Sequence, residues 1–413
     1  MIEFAKSLLR STWRKVYPKI HKFRISLKTF NVRLDRLLCG GANGIRAAKY
    51  AELMDDFLLP SRPASQSPHT ELLKDFDKLG MKILQDDFLQ QTKYYKYAEK
   101  CMRLTGCFFY DRLDKIKILV ERFIRQYKGE TLNLPQQPGQ SDVGPIWLRP
   151  IKFSSYYEII DGHHRVARAI MAGQETIPAI IYDATPVLTP LQQLLLDVLW
   201  ISNHRWLYQP VHSPEIEEQW ILVRNCQDRL NMMNNFLDIK AFNKKGASYL
   251  DVGSSNGWFV KQMEDKGLCT RGIDRDPFGI EVGFRMYGLK PEQITHSDIT
   301  IGLEKMVSRG DIFDFTSCMS IMHHFVLGKT SYTPEHLLKL LDRITKQVMF
   351  FDTGEENEPV FEGTLHGWSS EYIQNWILSN SSFKEVIPLG RDNDRKPPFQ
   401  GYYNRMMFAC IKG

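Results

Sequence analysis

The feature that most limits what this chain can fold into is an alternation of strand and helix patterns that begins at residue 247. The stretch "ASYLDVGSSNGWFVKQMEDKG", 247–267, sets an apolar run (Tyr249, Leu250, Val252) before Gly253 and Gly257, then an amphipathic segment from Trp258 to Lys266. An apolar run of this kind suits a parallel strand buried on both faces, the glycines suit a turn, and helical spacing of apolar residues suits the helix that follows. Similar patterns alternate to residue 413, which predicts an α/β fold with a mostly parallel sheet. A turn of this type directs helix N–H groups at a ligand beyond the carboxyl end of the sheet.

A dinucleotide is the first ligand to test against that turn, and the chemistry opposes it. The phosphate-binding form is G-x-G-x-x-G, whereas the spacing here is D-x-G-x-x-x-G, and Asp251 would face two negative phosphates. An acid at this strand end suits a cofactor with positive charge and no phosphate. S-adenosylmethionine meets both conditions through its sulfonium and its amino group.

From about residue 247 to 413 the sequence resembles the class I S-adenosylmethionine-dependent methyltransferases. "LDVGSSNGWF" resembles their cofactor loop, with Ser255 in place of a common glycine and the loop accordingly tighter. "RGIDRDP", 271–277, resembles the second strand, where the resemblance assigns Asp274 (with Asp276 in reserve) to the ribose hydroxyls; "HSDIT", 296–300, resembles the third, where Asp298 would meet the adenine. "FDFTSCMSIMHHF" resembles the fourth, and "VMFFDTGEE", "FKEVIPLG" and "NRMMFACIKG" the fifth to seventh. The implied fold is Rossmann-like with a seven-stranded, mostly parallel sheet, and Asp251, Gly253, Ser255, Gly257, Asp274 and Asp298 are the implied cofactor-binding set.

In methyl transfer the cofactor carries the difficult chemistry, while the protein aligns the acceptor and can remove its proton. His323 and His324 are candidate catalytic bases, because neutral imidazole titrates near working pH. The competing reading is that they pack or cap a helix. Asp352, Glu355 and Glu356 could hold the acceptor, although a solvated acidic loop explains the two glutamates equally well.

A second stretch, "EIIDGHHRVARAI" at 158–170, reads as strand, turn and helix, with Val166, Ala169 and Ile170 on the buried stripe and Gly173 closing the helix. His163, His164 and Arg165 fall on the first turn, where the helix dipole already favours an anion. A metal site is disfavoured, because adjacent histidines diverge at a helix start and no Cys or Asp sits at ligand spacing. Phosphate binding and ordinary packing remain as alternatives.

Residues 145–183 resemble the ParB/sulfiredoxin-like superfamily, and the D-G-H-H-R form resembles its kinase branch. The resemblance implies a small α+β domain in which Gly162, His163, His164 and Arg165 bind nucleotide phosphates, with ATP or another nucleotide and Mg as further cofactors. Sulfiredoxin's catalytic cysteine is replaced by histidine. Asp161, Glu121 and Glu130 are the acids considered for phosphoryl transfer, and whether the domain hydrolyses, transfers or senses nucleotide is left open.

Upstream lies a helical region over 71–128, with loops expected at 58–69 and 133–145 and a mostly helical connector over 184–245. Residues 1–38 hold ten Lys/Arg against Glu3 and Asp35, a net +8 within a chain of +6, so the remainder sums to −2. With Phe4, Leu8, Leu9, Trp13, Val16 and Tyr17 interleaved, residues 1–45 read as a basic amphipathic arm for an anionic membrane or nucleic acid, or one that docks on its own protein. Seven scattered cysteines without a C-x-x-C pair argue against a disulfide framework or zinc ribbon and fit a cytoplasmic setting. The most apolar stretch, "LQQLLLDVLWI", is interrupted by Asp197 and too short to span a bilayer.

The expected enzyme is thus a cytoplasmic methyltransferase (246–413) behind a helical region and nucleotide-binding domain (70–183), without a metal site in the protein itself. A glycan or lipid-linked saccharide at the inner membrane face is the expected acceptor, in polysaccharide biosynthesis. The rival readings are a tRNA methyltransferase with a non-catalytic ParB-like module, and a scaffold whose enzyme domains have decayed.

Overall fold

The computed structural model describes residues 28–39, 62–105, 115–130, 144–198, 204–393, 397, 399 and 402–413. Contacts divide the chain into two units, Met1–Gln193 with Ser213–Gln219, and Leu194–His212 with Trp220–Gly413. Most of the expected basic arm, residues 1–27 and 40–45, and most of the loop expected at 133–145 lie outside the described residues.

The first unit holds a mixed sheet of five strands: β1 (Phe30–Arg33), β2 (Leu37–Leu38), β3 (Ile146–Pro150), β4 (Tyr157–Asp161) and β5 (Thr176–Ile181), in the order β1-β5-β3-β4-β2. β1 and β2 come from the segment read as a basic amphipathic arm, and they match the alternative in which it docks on its own protein. Val32, Leu34 and Leu37 are buried against the other strands, so burial of this apolar set decides the placement of 30–38 over the charge pattern. Helices α1 (Pro68–Leu79), α2 (Lys93–Thr105) and α3 (Ile116–Tyr127) form a layer of their own, and α4 (His163–Met171) lies between that layer and the sheet. Val166 and Ala169 of α4 join the sheet's apolar cluster while Ala167 joins the helical one. Two buried faces explain why so short a helix is stable, since about nine residues alone fall below the length needed in water.

The second unit is also mixed α/β. Its seven-stranded sheet comprises β8 (Ser248–Val252), β9 (Cys269–Asp274), β10 (Ile294–His296), β11 (Phe313–Met319), β12 (Thr345–Asp352), β13 (Glu385–Arg391) and β14 (Met406–Ile411). Their order is β10-β9-β8-β11-β12-β14-β13, and β14 alone runs antiparallel to its neighbours. Helices fill the crossovers: α6 (Trp258–Glu264), α7 (Pro277–Val282), α8 (Ile299–Arg309), α9 (Met322–Val326), α10 (Pro334–Ile344) and α11 (Ser370–Asn380). Central β8 is covered on both faces, with Leu250 and Val252 in one apolar cluster and Tyr249 in the other, as apolar residues on both of its faces require.

The segment at 184–245 departs from the helical connector expected there. Among its described residues the α-helices are Pro190–Asp197 and α5 (Gln227–Ile239), and between them run two short strands, β6 (Trp206–Leu207) and β7 (Ile221–Leu222), paired in parallel. The apolar spacing of "IEEQWILVRNCQDRL" fits a helix along its length, but the helix begins only at Gln227. Cys226 adopts φ 66° immediately before α5, which sets the start of the helix there. Among the described residues no helix is long and apolar enough to cross a membrane.

Candidate functional site

At the carboxyl end of β8 the Asp251 side chain is buried, 2% exposed, directly opposite Ser317 in the β8–β11 register. Ser317 Oγ donates to Asp251 Oδ1 at 2.5 Å. With that proton committed, Ser317 receives one from the Tyr249 hydroxyl 2.6 Å away. Burial pushes the Asp251 carboxyl up to about 7, partly offset by Ser317 and by the charge of Arg229. A carboxylate so placed gains from a cation brought beside it.

Beyond Asp251 the backbone bends sharply. Gly253 and Gly257 both have φ +78°, and a Cβ at Gly253 would lie 2.5 Å from Ile321 Cδ1. Ser255, where the resemblance places a glycine, adopts φ 53°, so it occupies the left-handed region glycine favours. The loop amides do not face a ligand as expected. Gly253 and Ser254 N–H donate to the Ile273 carbonyl, Ser255 N–H to Asp274 Oδ2 at 2.6 Å, Gly257 N–H to the Ser254 carbonyl, and those of Asn256 and Trp258 to Gln209 Oε1. Every N–H from 253 to 258 is therefore committed inside the protein. A polyphosphate would find no free backbone donor among residues 253–258.

Asp274 ends β9 with both oxygens engaged, Oδ2 by Ser255 N–H and Oδ1 by Asp276 N–H at 2.9 Å. Burial raises its carboxyl, and these backbone bonds oppose the rise. Each oxygen keeps a second lone pair for a hydroxyl donor. Asp276 instead caps α7 by accepting from Phe278 N–H, and Asp298 caps α8 by accepting from Thr300 and Ile301 N–H while remaining exposed. Asp298 thus has a local structural task that a strand-end motif does not reveal.

The two histidines after β11 differ from the expected pair of bases. His323 is buried and its Nδ1 accepts from Gly354 N–H at 3.2 Å, so the neutral ring carries its proton on Nε2 and has no free nitrogen lone pair for a second proton. Burial, with Arg405 and His324 nearby, holds it well below the ordinary histidine value. His324, half-buried, is pushed down to about 4 by burial and then by Lys329 and Arg275. Neither is a base tuned to neutral pH.

The acids after β12 are also occupied. Asp352 Oδ1 accepts from Ser320 N–H at 2.7 Å and Ser320 Oγ at 3.1 Å, and its Oδ2 pairs with Arg229 at 3.4 Å. Arg224, fully buried, pairs with Asp392 and donates to Ser320 Oγ at 2.7 Å. Glu355 is buried in a two-pronged pair with Arg391, at 3.0 and 2.9 Å, rather than solvated. Only Glu356 matches the exposed-loop reading. Arg224 was signalled in the sequence by its place in the apolar run "WILVRNC"; Asp392, Arg391 and Gln209 carried no local signal.

In the first unit Gly162 adopts φ +104° at the head of α4, where a Cβ would lie 2.6 Å from Ile146 Cγ2, so the turn demands glycine. Arg165 is turned back into the fold, bonding Asp161 at 2.8 Å and the carbonyls of Gly144 and Pro145 at 2.8 and 3.0 Å. His164 lies edge-on to Phe123 at 4.3 Å and His69 at 4.8 Å, with the Tyr94 hydroxyl 3.3 Å from its Nε2, and burial pushes it down to about 3. His163 stacks on His69, centroids 5.2 Å apart. The side chains of Arg165 and His164 are thus engaged inside the protein, in contacts that their expected role as phosphate ligands did not include. The helical layer supplies the enclosing His69, Tyr94 and Phe123, which the motif could not indicate. Among the described residues no group of three or more His, Cys, Asp or Glu is placed to hold a metal ion.

No protein-family model matches the chain. No curated protein matches it either. Among solved structures it is similar to the bifunctional kinase-methyltransferase WbdD at 19% identity and a TM-score of 0.38, over 51% of this chain and 45% of that one. It is also similar to magnesium protoporphyrin IX methyltransferase (ChlM) from Synechocystis PCC 6803 with bound SAM, at 14% identity and a TM-score of 0.34, over 45% of this chain and 79% of that one. The chain thus spans less than half the length of the WbdD chain it matches. Likeness this loose carries no argument about residues or activity.

Proposed function

We propose that the second unit is a Rossmann-like, class I methyltransferase domain that binds S-adenosylmethionine at the carboxyl ends of β8 and β9. One observation carries the reading: the loop after β8 offers a buried carboxyl and no free backbone donor, a site for a cation and not for phosphate. The strand order, with a single antiparallel strand near one edge, supports it. Asp251 opposes the cofactor's positive groups, Asp274 receives ribose hydroxyls on its remaining lone pairs, and Gly253 and Gly257 let the backbone turn closely. When bound, the cofactor supplies a methyl group on cationic sulfur.

The state of the histidines bears on the acceptor. His323 has no nitrogen lone pair to offer, and His324, at about 4, is a weak base at neutral pH. An acceptor that is already anionic needs no base. This favours a phosphorylated group, such as a phosphate on a glycan or lipid-linked saccharide, over a free hydroxyl. The first unit fits as the nucleotide-binding, kinase-like partner in that sequence, with phosphate at the first turn of α4 beside Gly162 and His163 while Arg165 and His164 hold the turn.

The test is calorimetric titration of the full chain with S-adenosylhomocysteine and, separately, with ADP, ATP and CTP, followed by incubation with ATP, labelled S-adenosylmethionine and lipid-linked saccharides. Asp251→Ala should abolish the first response and Gly162→Val the second. Label transferred to tRNA alone would replace the saccharide reading with an RNA methyltransferase. Absence of any response to the homocysteine derivative would remove the methyltransferase reading altogether.

A further inference from the structure

We infer that Gln209 is a positioning residue for the loop 253–258, a built-in side-chain ligand that holds the backbone in the shape that receives the cofactor. The inference rests on the reading of that loop as the S-adenosylmethionine site, and concerns a residue outside the motif that suggested it. Gln209 is 3% exposed and belongs to the bend that follows β6. Its Oε1 accepts from Asn256 N–H at 3.1 Å and Trp258 N–H at 3.2 Å, and its Nε2 donates to the Ser254 carbonyl at 3.1 Å.

One planar amide thus grips three points of the bend. The Ser254 carbonyl and the Asn256 N–H flank Ser255, whose own N–H reaches Asp274 Oδ2 at 2.6 Å. Fixing the flanks fixes Ser255, and through it the distance between the loop and the acid proposed for the ribose. Ser255 needs such support, because its φ of 53° is disfavoured for a residue with a side chain. The segment that presents Gln209 is itself tied down where the Tyr287 hydroxyl donates to the Pro210 carbonyl at 2.5 Å.

Removing the amide strips two N–H groups of their partner in a buried site. The loop then relaxes, and ligand binding must pay to restore it.

The experiment compares Gln209→Met, which keeps length and volume but has no oxygen, with Gln209→Glu, which keeps an acceptor for both amides. The full chain is titrated with S-adenosylhomocysteine, and hydrogen exchange is followed at the amides of Asn256 and Trp258. Gln209→Met should weaken affinity by about tenfold or more and expose both amides to exchange, while Gln209→Glu, which loses only the bond to the Ser254 carbonyl, keeps the Asn256 and Trp258 amides protected. Met binding as well as Gln, with both amides still protected, would overturn the inference, because packing alone would then suffice. A Glu variant whose Asn256 and Trp258 amides exchange as fast as those of the Met variant would also overturn it. If Gln209→Met does not fold, Tyr287→Phe carries the test: releasing the strap should weaken binding by about threefold, and unchanged affinity counts against the role. Should wild type fail to bind, the site reading falls, while the exchange comparison still decides whether Gln209 holds the loop.

Discussion

Affinity for S-adenosylmethionine should rise steeply with pH across the neutral range, and Asp251 should be the cause. In the free protein burial holds this carboxyl up to about 7, with Asp274 and Asp352 adding to the rise and Ser317 and Arg229 opposing it. A cation seated beside it stabilises the ionised form and returns the value toward the ordinary ~4. The ligand therefore binds the deprotonated protein, and at low pH a proton must first leave. Working the linkage through, affinity falls about 10-fold between about pH 8 and about pH 6, equivalent to about 1.4 kcal/mol. Calorimetry in two buffers of different ionisation enthalpy would show nearly a full proton released near about pH 6 and very little near about pH 8. Asp251→Asn should bind more weakly at high pH and lose the slope. A wild-type affinity constant to within about twofold across this range, with no proton released, would refute the argument that a cation meets Asp251.

The remaining predictions concern folding and the loop. His164, held at about 3, binds its proton in the unfolded chain first, so its contribution is intact above about pH 6.5 and is lost as pH falls below that; it should cost the first unit about 2 kcal/mol by about pH 5, read by hydrogen exchange in α3 and α4, and His164→Phe should blunt the loss. Arg224→Met should destabilise the chain by about 3–5 kcal/mol in urea denaturation because it leaves Asp392 buried and poorly paired, and adding Asp392→Leu should recover part of that. Ser255→Gly should raise stability by about 0.5–1 kcal/mol in the same assay by relieving a positive φ, whereas Gly253→Ala should lower both stability and cofactor affinity.

The alternation of the second unit was legible because β8 is covered on both faces and its helices are amphipathic, so periodicity reported packing directly. The start of α5 was not, since apolar spacing over Ile221 and Leu222 fits a short strand as well as a helix and only the backbone turn at Cys226 separates them. Residue types put Asp251 and Asp274 at strand ends, where β8 and β9 carry them. They could not reveal that Asp298 caps α8 or that Glu355 meets Arg391, because capping and ion pairing depend on partners far away in sequence or on the exact end of a helix. Arg165 illustrates the same limit: a basic residue on a helix's first turn promises an anion until Asp161 and two carbonyls are seen around it.

The placement of β14 imposes an order of assembly on the second unit. β13 has no neighbour in the sheet other than β14, and β12 meets β13 only through it. Residues 385–391 therefore stay without a ladder until 406–411 has been synthesised and slotted into the gap. Until then the edge of β12 presents unpaired peptide groups, the condition under which nascent chains associate with one another. Completion of this keystone strand is the step that pairs the open edge of β12 and gives β13 its ladder.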